Sequence, residues 1–216
     1  MENNFLDFKK RQIRSYFFHL QKKEVNEAKF KIPITYIQMR LPVEKITPQF
    51  EQAVQKQIDS NYLHVLIREA KKEDLKHVLY IYNKAWQKLD DPHGQMTLEA
   101  LQKIHAFPEI TIFIASIYEM DVGFIILDNE KDESGNPIGI IAGLGILPKF
   151  QAKGIGKVLG MTAWKYFKDK GIKELRCEVF IENKKSYKFI KSLGFEEFKT
   201  KIYKIEDFNL HQNNSG

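Results

Sequence analysis

One stretch of the chain constrains its fold more than any other: residues 140 to 160 read IIAGLGILPKFQAKGIGKVLG. An apolar run typical of a buried strand passes through a glycine-rich turn into a segment with helical periodicity. Gly154 and Gly156 stand where this helix would begin. The first amides of a helix have no partner within the helix, and the helix dipole adds partial positive charge there. The stretch therefore predicts a strand, a turn and a helix around a site for an anion such as a phosphate.

Two familiar phosphate-binding motifs do not fit this turn. A Walker A loop requires a hydroxyl residue after its Gly-Lys pair, but Lys157 is followed by Val158. A Rossmann fingerprint requires a third glycine three residues after the second, and Gly160 stands one residue too late. The pattern that remains is Q-x-x-G-x-G, from Gln151 to Gly156, with lysines on both sides.

Segments with helix and strand periodicity alternate along the rest of the chain. The predicted helices span residues 5–28, 47–60, 72–88, 98–105, 155–169 and 184–192, and the predicted strands span 30–36, 64–68, 110–118, 122–127, 138–147, 175–181 and 195–205. Pro33 favours an edge position for the first strand, because proline cannot donate a hydrogen bond to a neighbouring strand. This alternation predicts an α/β or α+β sheet with flanking helices.

The composition excludes several classes of protein. Of the 216 residues, 43% are apolar and 29% are charged, which is typical of a globular chain and not of a low-complexity one. The single cysteine, Cys177, cannot form an internal disulfide bond, so a small disulfide-rich scaffold is excluded. The sequence has no apolar run of membrane-spanning length and no apolar N-terminal signal, so we expect a cytoplasmic protein without membrane contact. The net charge of +6 favours an anionic partner.

In this context the Q-x-x-G-x-G turn resembles the pyrophosphate loop of the GNAT superfamily of acyl-CoA-dependent N-acetyltransferases. Two further segments look like that family: IREAKKEDL (Ile67 to Leu75) is similar to its first strand and helix, and EVFIENKKSYKFIKSLGF (Glu178 to Phe195) to a later strand and helix. The resemblance spans about residues 62 to 205. It implies a mixed α/β (α+β) fold with a mostly antiparallel central sheet, a splayed parallel strand pair and flanking helices.

The resemblance also implies acetyl-CoA as the co-substrate and a set of residues that bind it. By position, the backbone of Ile146 and Leu147 and the side chain of Asn183 would contact the pantetheine arm. The residues expected to hold the pyrophosphate are those of the turn: Gln151, Ala152, Lys153, Gly154, Ile155, Gly156 and Lys157. The alternative is a tight turn that binds no ligand.

Acetyl transfer to an amine calls for a base, because a free amine is mostly protonated near neutral pH and only its neutral form attacks. Glu178 occupies the position of the Glu that acts as general base in the similar ribosomal-protein N-terminal acetyltransferases. Glu182 is the second candidate. The alternative is that Glu178 is a strand residue in a salt bridge with a lysine.

The chain departs from the family pattern at the general acid. The family places a Tyr seven residues after the Asn, and here that position is Ile190. Tyr187 lies one helical turn earlier and is the candidate substitute, although packing alone would also explain a tyrosine there. A thiol with a pKa of about 8.5 can leave as the anion near neutral pH, so we expect the missing acid to slow the reaction without abolishing it.

The acceptor is expected to bind near the loop that follows the first helix of the domain. Trp86, Asp90 and Asp91 lie there, and carboxylates beside an aromatic ring suit a cationic amine. The alternative is a solvated loop with Trp86 in the core. The histidines show no metal-binding spacing, so no metal site is expected.

The sequence thus predicts an N-acetyltransferase that moves an acetyl group from acetyl-CoA to a primary amine, with a Glu or a water-relayed base. The acceptor stays open between a small molecule and a protein, and the alternative is a non-catalytic module that binds acyl-CoA or a partner. We divide the chain into an N-terminal helical extension (1–61), an acetyltransferase domain (62–208) and a disordered tail (209–216). The extension would pack on the domain or on a second copy in a homodimer. Nucleic-acid binding through its basic face is disfavoured.

Overall fold

The protein is built on one seven-stranded sheet, which a computed structural model describes together with its helices over residues 34–60, 63–87 and 95–204. In chain order the strands are β1 (Ile34–Pro42), β2 (Leu66–Glu69), β3 (Ile110–Ile117), β4 (Met120–Lys131), β5 (Pro137–Ile146), β6 (Glu174–Phe180) and β7 (Glu196–Tyr203). Their spatial order is β2-β3-β4-β5-β6-β1-β7. Among these strands β5 and β6 run parallel, and every other neighbouring pair is antiparallel. The predicted fold class is confirmed.

Helices cover both faces of the sheet. They are α1 (Pro48–Asp59), α2 (Leu75–Trp86), α3 (Leu98–His105), α4 (Ile155–Asp169) and α5 (Lys184–Ser192). Alternate residues of a strand point to opposite faces. Phe124 and Ile126 of β4 pack with α2 and α3, whereas Ile125 and Leu127 pack with α1 and α4. The sheet therefore lies between two helical layers, with a separate core on each face.

Residue types at the helix ends explain several boundaries. The side chains of Thr47 and Thr97 accept hydrogen bonds of 3.2 Å from the amides three residues further on, which begins α1 and α3. Gly171 follows α4 with a φ of 68°, a left-handed conformation that commonly ends a helix. The boundaries predicted for the helices at 98–105 and 155–169 agree with α3 and α4.

β1 lies inside the sheet, between β6 and β7. Gln38 is paired with Glu178 of β6 on one side and with Lys199 of β7 on the other. The edge position that we inferred from Pro33 is therefore wrong, because β1 pairs with a strand on each side from Tyr36 to Arg40. The division of the chain at residues 61 and 62 stays a prediction, but β1 and α1 share the sheet and core of the residues that follow.

The parallel pair separates partway along its length. β5 and β6 are paired from Ile138 opposite Glu174 to Ile141 opposite Cys177, and no pairing is found between them beyond that point. Ala142, the next residue of β5, is an extra residue between two pairs that β5 makes with β4. A bulge of this kind bends a strand away from its regular course. The bulge thus accounts for the separation of β5 from β6. We call the space between the two strands beyond Ile141 and Cys177 the β5–β6 opening.

Parts of the predicted organisation lie outside the described residues. These are the helix at 5–28, the acceptor candidates Asp90 and Asp91, and the tail at 209–216. Within the described ranges, no helix is long and apolar enough to cross a membrane.

Candidate active site

The turn between β5 and α4 has the geometry that its glycines predict. A short 3-10 turn over Pro148–Phe150 follows β5, and Gly154 then adopts a φ of 83° before α4 begins at Ile155. Ala152 adopts a φ of 60°, which is uncommon for a residue with a side chain. Backbone strain of this kind concentrates at sites that clamp ligands. The Ile155 and Gly156 amides precede the first intrahelical bond, which runs from Lys157 to Gly154, and amides in this position are the groups that bind anions at helix starts.

Gly156 is also needed for packing. A Cβ placed on Gly156 would lie 2.8 Å from Cζ of Phe189, which belongs to α5. The start of α4 and the α5 ring therefore touch at the backbone of this residue. In the sequence analysis Gly156 was expected only to bind the pyrophosphate. Its contact with Phe189 could not be predicted from the motif.

The side chain of Gln151 connects the turn to β5 and α5 by hydrogen bonds. Its Nε2 donates to the carbonyl oxygen of Ile146 at 3.0 Å, and its Oε1 accepts from Nζ of Lys185 at 2.6 Å. The end of β5, the turn and the start of α5 are thus joined through one side chain. This places a fixed amide group where the sequence predicts a cofactor contact.

The lysines of the turn are held by the protein as well. Nζ of Lys153 lies 5.6 Å from the ring centroid of Phe150, and Nζ of Lys157 donates to Oε1 of Gln57 in α1. Both charges stay beside the start of α4. The positive charge predicted around the anion site is therefore present in the structure.

Asn183 caps α5. Its side-chain oxygen accepts a hydrogen bond of 3.0 Å from the amide of Ser186, and its own amide donates to the carbonyl of Phe180 at 2.8 Å. The carboxamide nitrogen has no hydrogen bond within the described ranges. The group that the sequence assigns to the pantetheine arm is thus a donor at the end of β6, held in place by its capping bond.

The end of β5 presents a backbone amide to the β5–β6 opening. The amide of Leu147 donates to the carbonyl of Val122 in β4 at 2.8 Å, so Leu147 and Val122 form a hydrogen-bonded pair. Hydrogen-bonded and non-hydrogen-bonded pairs alternate along antiparallel strands. Ile146, which is paired with Gly123, therefore turns its N–H and its carbonyl away from β4. The carbonyl is taken by Gln151 and the N–H points into the opening.

Trp86 borders the opening on the face that α2 covers. Its ring stacks on Tyr82 with 4.6 Å between centroids and 16° between planes. A Cβ on Gly145 would lie 2.8 Å from Cζ3 of Trp86, so the indole rests directly on the backbone of β5. Trp86 is half-buried and packs against the core on this face, and its role in acceptor binding stays a prediction. Asp90 and Asp91 lie outside the described residues, and their part in acceptor binding stays a prediction.

Glu178 directly follows Cys177, the last residue of β6 that pairs with β5, and its side chain lies on the opposite face of the sheet from that of Cys177. Nε2 of Gln38 donates to its Oε1 at 2.8 Å, and the hydroxyl of Tyr203 donates to its Oε2 at 2.6 Å. Cys177 packs with α1 and α4, so Glu178 points to the face of α2 and Trp86. Sequence reasoning missed Gln38 and Tyr203. The alternation of Tyr36 and Gln38 with Ile37 and Met39 is the signal that places Gln38 on this face.

Tyr187 and Ile190 of α5 both pack against the core of α1 and α4. The hydroxyl of Tyr187 donates to Oε1 of Glu197 in β7. That hydrogen bond raises the pKa of Tyr187 above its usual value. Glu182, the second candidate base, is exposed in the turn after β6.

Two other groups are unsuited to chemistry at this site. Burial raises the pKa of the Cys177 thiol far above its usual value, so the thiolate form is suppressed. Asp74, His77 and Asp121 offer ligand atoms within 4.8 Å of one another. The guanidinium of Arg68, however, contacts Asp74 at 2.7 Å and Asp121 at 3.1 Å, so both carboxylates already have a cationic partner.

The sequence of this chain is similar to those of known N-acetyltransferases. The chain is 28% identical over 142 residues to aminoglycoside N(6')-acetyltransferase type 1 of Salmonella enteritidis, which covers 63% of this chain and 95% of the relative. It is 29% identical over 136 residues to an uncharacterized N-acetyltransferase of Methanocaldococcus jannaschii, over 61% of this chain and 60% of the relative.

The fold is also similar to those of solved acetyltransferase structures. An aminoglycoside N-acetyltransferase, AAC(6')-Iy, in complex with CoA has a TM-score of 0.55 and 26% identity, covering 67% of this chain and 95% of its own. The same enzyme with a bisubstrate analogue has a TM-score of 0.54 and 27% identity, covering 65% of this chain and 96% of its own.

The family model described as the acetyltransferase (GNAT) family matches residues 75–195, which is more than half of the chain. Together with the relatives, this match confirms the predicted N-acetyltransferase activity and the use of acetyl-CoA, and it favours an enzyme over a non-catalytic module. This chain belongs to the acetyltransferase (GNAT) family.

Proposed function

We propose that this enzyme acetylates a primary amine of a small molecule, with Glu178 as the general base. The observation that carries the proposal is the placement of two groups on opposite sides of one opening. The glycine turn and the start of α4 lie on one side, and the Glu178 carboxylate lies directly after the last β5–β6 pair on the other. An acetyl donor and an amine can therefore meet between the strands.

The donor side of the proposal rests on the turn. The amides that begin α4, together with Gln151, Lys153 and Lys157, suit a pyrophosphate. Further along, Asn183 offers a donor for the pantetheine arm, and the Ile146 N–H lies where it can donate to the thioester carbonyl. A fixed donor aimed at an oxygen that gains negative charge during the reaction lowers the barrier. The Leu147 N–H donates to the carbonyl of Val122, and the Leu147 carbonyl accepts from the amide of Phe150, so Ile146 and not Leu147 supplies the backbone donor in this proposal.

The acceptor side rests on Glu178. The neutral amine forms the new N–C bond with the acetyl carbon, the C–S bond breaks, and CoA leaves as the thiolate. Glu178 accepts the proton that the amine nitrogen loses, directly or through a water molecule. With its hydroxyl on Glu197, Tyr187 is a weak candidate for the acid, and the thiolate needs no protonating residue near neutral pH. We propose that Trp86 packs against the acceptor, with Asp90 and Asp91 as further acceptor candidates.

The choice of a small amine is supported by the relatives, whose names state that they acetylate aminoglycosides. A half-buried indole beside the opening suits a compact cationic amine. A cytoplasmic location and a homodimer stay predictions from the sequence.

The test is an acceptor panel with the full chain and acetyl-CoA. The panel holds sisomicin, spermidine, a peptide with a free N-terminus and an N-terminally blocked peptide with one lysine. CoA release is followed with a thiol reagent, and the acetylated product by mass spectrometry. We expect a small amine to react faster than either peptide. Acetylation of the peptides alone would contradict the proposed acceptor class.

The base is tested in the same assay. Glu178→Gln keeps the shape of the side chain but cannot accept the proton, so we expect kcat to fall by about 100-fold or more. Binding of acetyl-CoA, measured by calorimetry, should not change. Glu182→Gln is the matched comparison, because a loss confined to that variant would move the base to Glu182.

A further inference from the structure

We infer that Gln38 and Tyr203 are positioning residues for the Glu178 carboxylate. The inference rests on the proposed role of Glu178 and extends it to two residues outside the segment that the family model matches, which ends at residue 195. One comes from β1 and the other from the last residue of β7.

The two hydrogen bonds act on different oxygens. Gln38 donates to Oε1 at 2.8 Å and Tyr203 donates to Oε2 at 2.6 Å. One donor alone would still allow the carboxylate to rotate about its last bond. Two donors on two oxygens fix that rotation.

The Tyr203 donor is itself held by packing. Tyr203 is 2% exposed, and its ring meets Tyr36 edge-on with 5.7 Å between centroids. Tyr36 in turn is 3% exposed and lies 5.7 Å from the ring of Phe180, while Nζ of Lys201 lies 4.8 Å from the Tyr203 centroid. A catalytic group is precise only when its supporting side chains are fixed in this way.

The position of β1 makes this arrangement possible. Gln38 lies directly opposite Glu178 in the β1–β6 register, so its side chain stands on the same face of the sheet. β7 pairs with the other side of β1 and brings Tyr203 opposite Ile34, on that same face. An acetyltransferase sheet without β1 between β6 and β7 would lack the Gln38 contact.

The test removes one donor at a time. Tyr203→Phe removes only a hydroxyl, and Gln38→Met keeps the length of the side chain without its donor. We expect each change to lower kcat by about tenfold while KM for acetyl-CoA stays the same, because positioning affects the reacting geometry and not cofactor binding. Two reactions are measured in parallel. One is acetyl transfer to sisomicin, and the other is hydrolysis of acetyl-CoA without an added acceptor, followed by the release of CoA. Tyr166→Phe is the matched control, since its hydroxyl bonds Thr111 and Asn129 away from the site.

A double-mutant cycle distinguishes this inference from the proposed base. If Tyr203 acts through Glu178, Tyr203→Phe should lower kcat by less than about twofold in the Glu178→Gln background. Full additivity of the two effects would overturn the positioning role. Unchanged activity of Glu178→Gln would instead overturn the proposed base.

A crystal structure of Tyr203→Phe tests whether Tyr203 positions the Glu178 carboxylate, even if the enzyme shows no activity with sisomicin or water. We expect the Glu178 carboxylate to shift by about 1 Å or to occupy two conformers, a displacement large enough to impair catalysis. A carboxylate that keeps its place in both Tyr203→Phe and Gln38→Met would overturn the inference.

Discussion

The cofactor turn is made from one continuous piece of chain, whereas the Glu178 carboxylate is held by residues far from it in sequence. Residues 146–157 contain the end of β5, the turn and the start of α4. The Gln38–Glu178 hydrogen bond joins residues 140 positions apart. The first side of the site depends on local backbone geometry, and the second depends on the assembly of the sheet. Substitutions on the first side should therefore mainly affect acetyl-CoA binding, and substitutions on the second side should mainly affect stability and the position of Glu178.

The largest effect is expected where β1 is anchored. Met39 is fully buried, and Met39→Ala should lower the free energy of unfolding by about 3 kcal/mol, because it leaves a cavity between β1 and the α4 side of the core. Urea denaturation should give one transition at a lower midpoint. Met120→Ala is the control, since Met120 is 56% exposed. Two separate transitions would indicate that residues 34–60 fold apart from the rest.

The continuous side is tested at Gly154. Gly154→Asp should weaken acetyl-CoA binding by about 100-fold, or about 2.7 kcal/mol, because it strains a residue with φ of 83° and places a negative charge at the anion site. Calorimetric titration measures this loss. Gly135→Asp offers a control with the same φ of 83° and open space around it. Equal losses of binding in the two variants would contradict the assignment of the turn.

Gly156 sharpens the comparison, because it joins the turn to α5. Gly156→Ala should lower the free energy of unfolding by about 1 to 2 kcal/mol through its contact with the Phe189 ring. Adding Phe189→Leu should restore both stability and acetyl-CoA binding. If only stability returns, Gly156 is needed for direct approach of the ligand. Denaturation and calorimetry on the same variants separate these results.

The smallest effect is expected away from both sides, at Asp74. A hydrogen bond from Arg68 holds the pKa of Asp74 below its usual value, even though burial acts in the opposite direction. A carboxylate with a lowered pKa in the folded state contributes stability above its unfolded pKa of about 3.9, and that contribution is lost as the pH falls below it.

Asp74→Asn should therefore cost about 1 kcal/mol or less at pH 7, and its difference from the unchanged protein should shrink toward pH 3. Denaturation curves at several pH values measure this difference. The rate of acetyl transfer at pH 7 should not change. A difference that persists at low pH would mean that Asp74 acts through packing and not through its charge.

The same contrast explains which features the sequence could reveal. The turn, α3 and α4 follow from residues that are neighbours in the chain, such as Gly154 with Gly156, and their boundaries were predicted closely. The place of β1 depends on partners far away in sequence, and Pro33 suggested the opposite of what is found. Periodicity identifies a strand but does not name the strands that it pairs with.

The site follows this rule as well. Glu178 and Asn183 were predicted from a motif within one short segment, and their roles stay predictions. Gln38 carries no motif, and Tyr203 lies inside a predicted strand with nothing to mark it. The hydroxyl of Tyr187 was expected near the departing thiol, yet it donates to Glu197 of β7, a contact between two elements that the sequence pattern does not indicate.

The place of β1 also bears on how the chain folds as it is made. β1 is synthesised before both of the strands that flank it, so its two hydrogen-bonding edges stay open while more than half of the chain emerges. Sheets closed by such distant pairings have high contact order and fold slowly. In that interval an open strand can pair with the wrong partner, including the same strand of another nascent copy. The two donors to Glu178 are both in place only after β7 has been synthesised and has paired with β1.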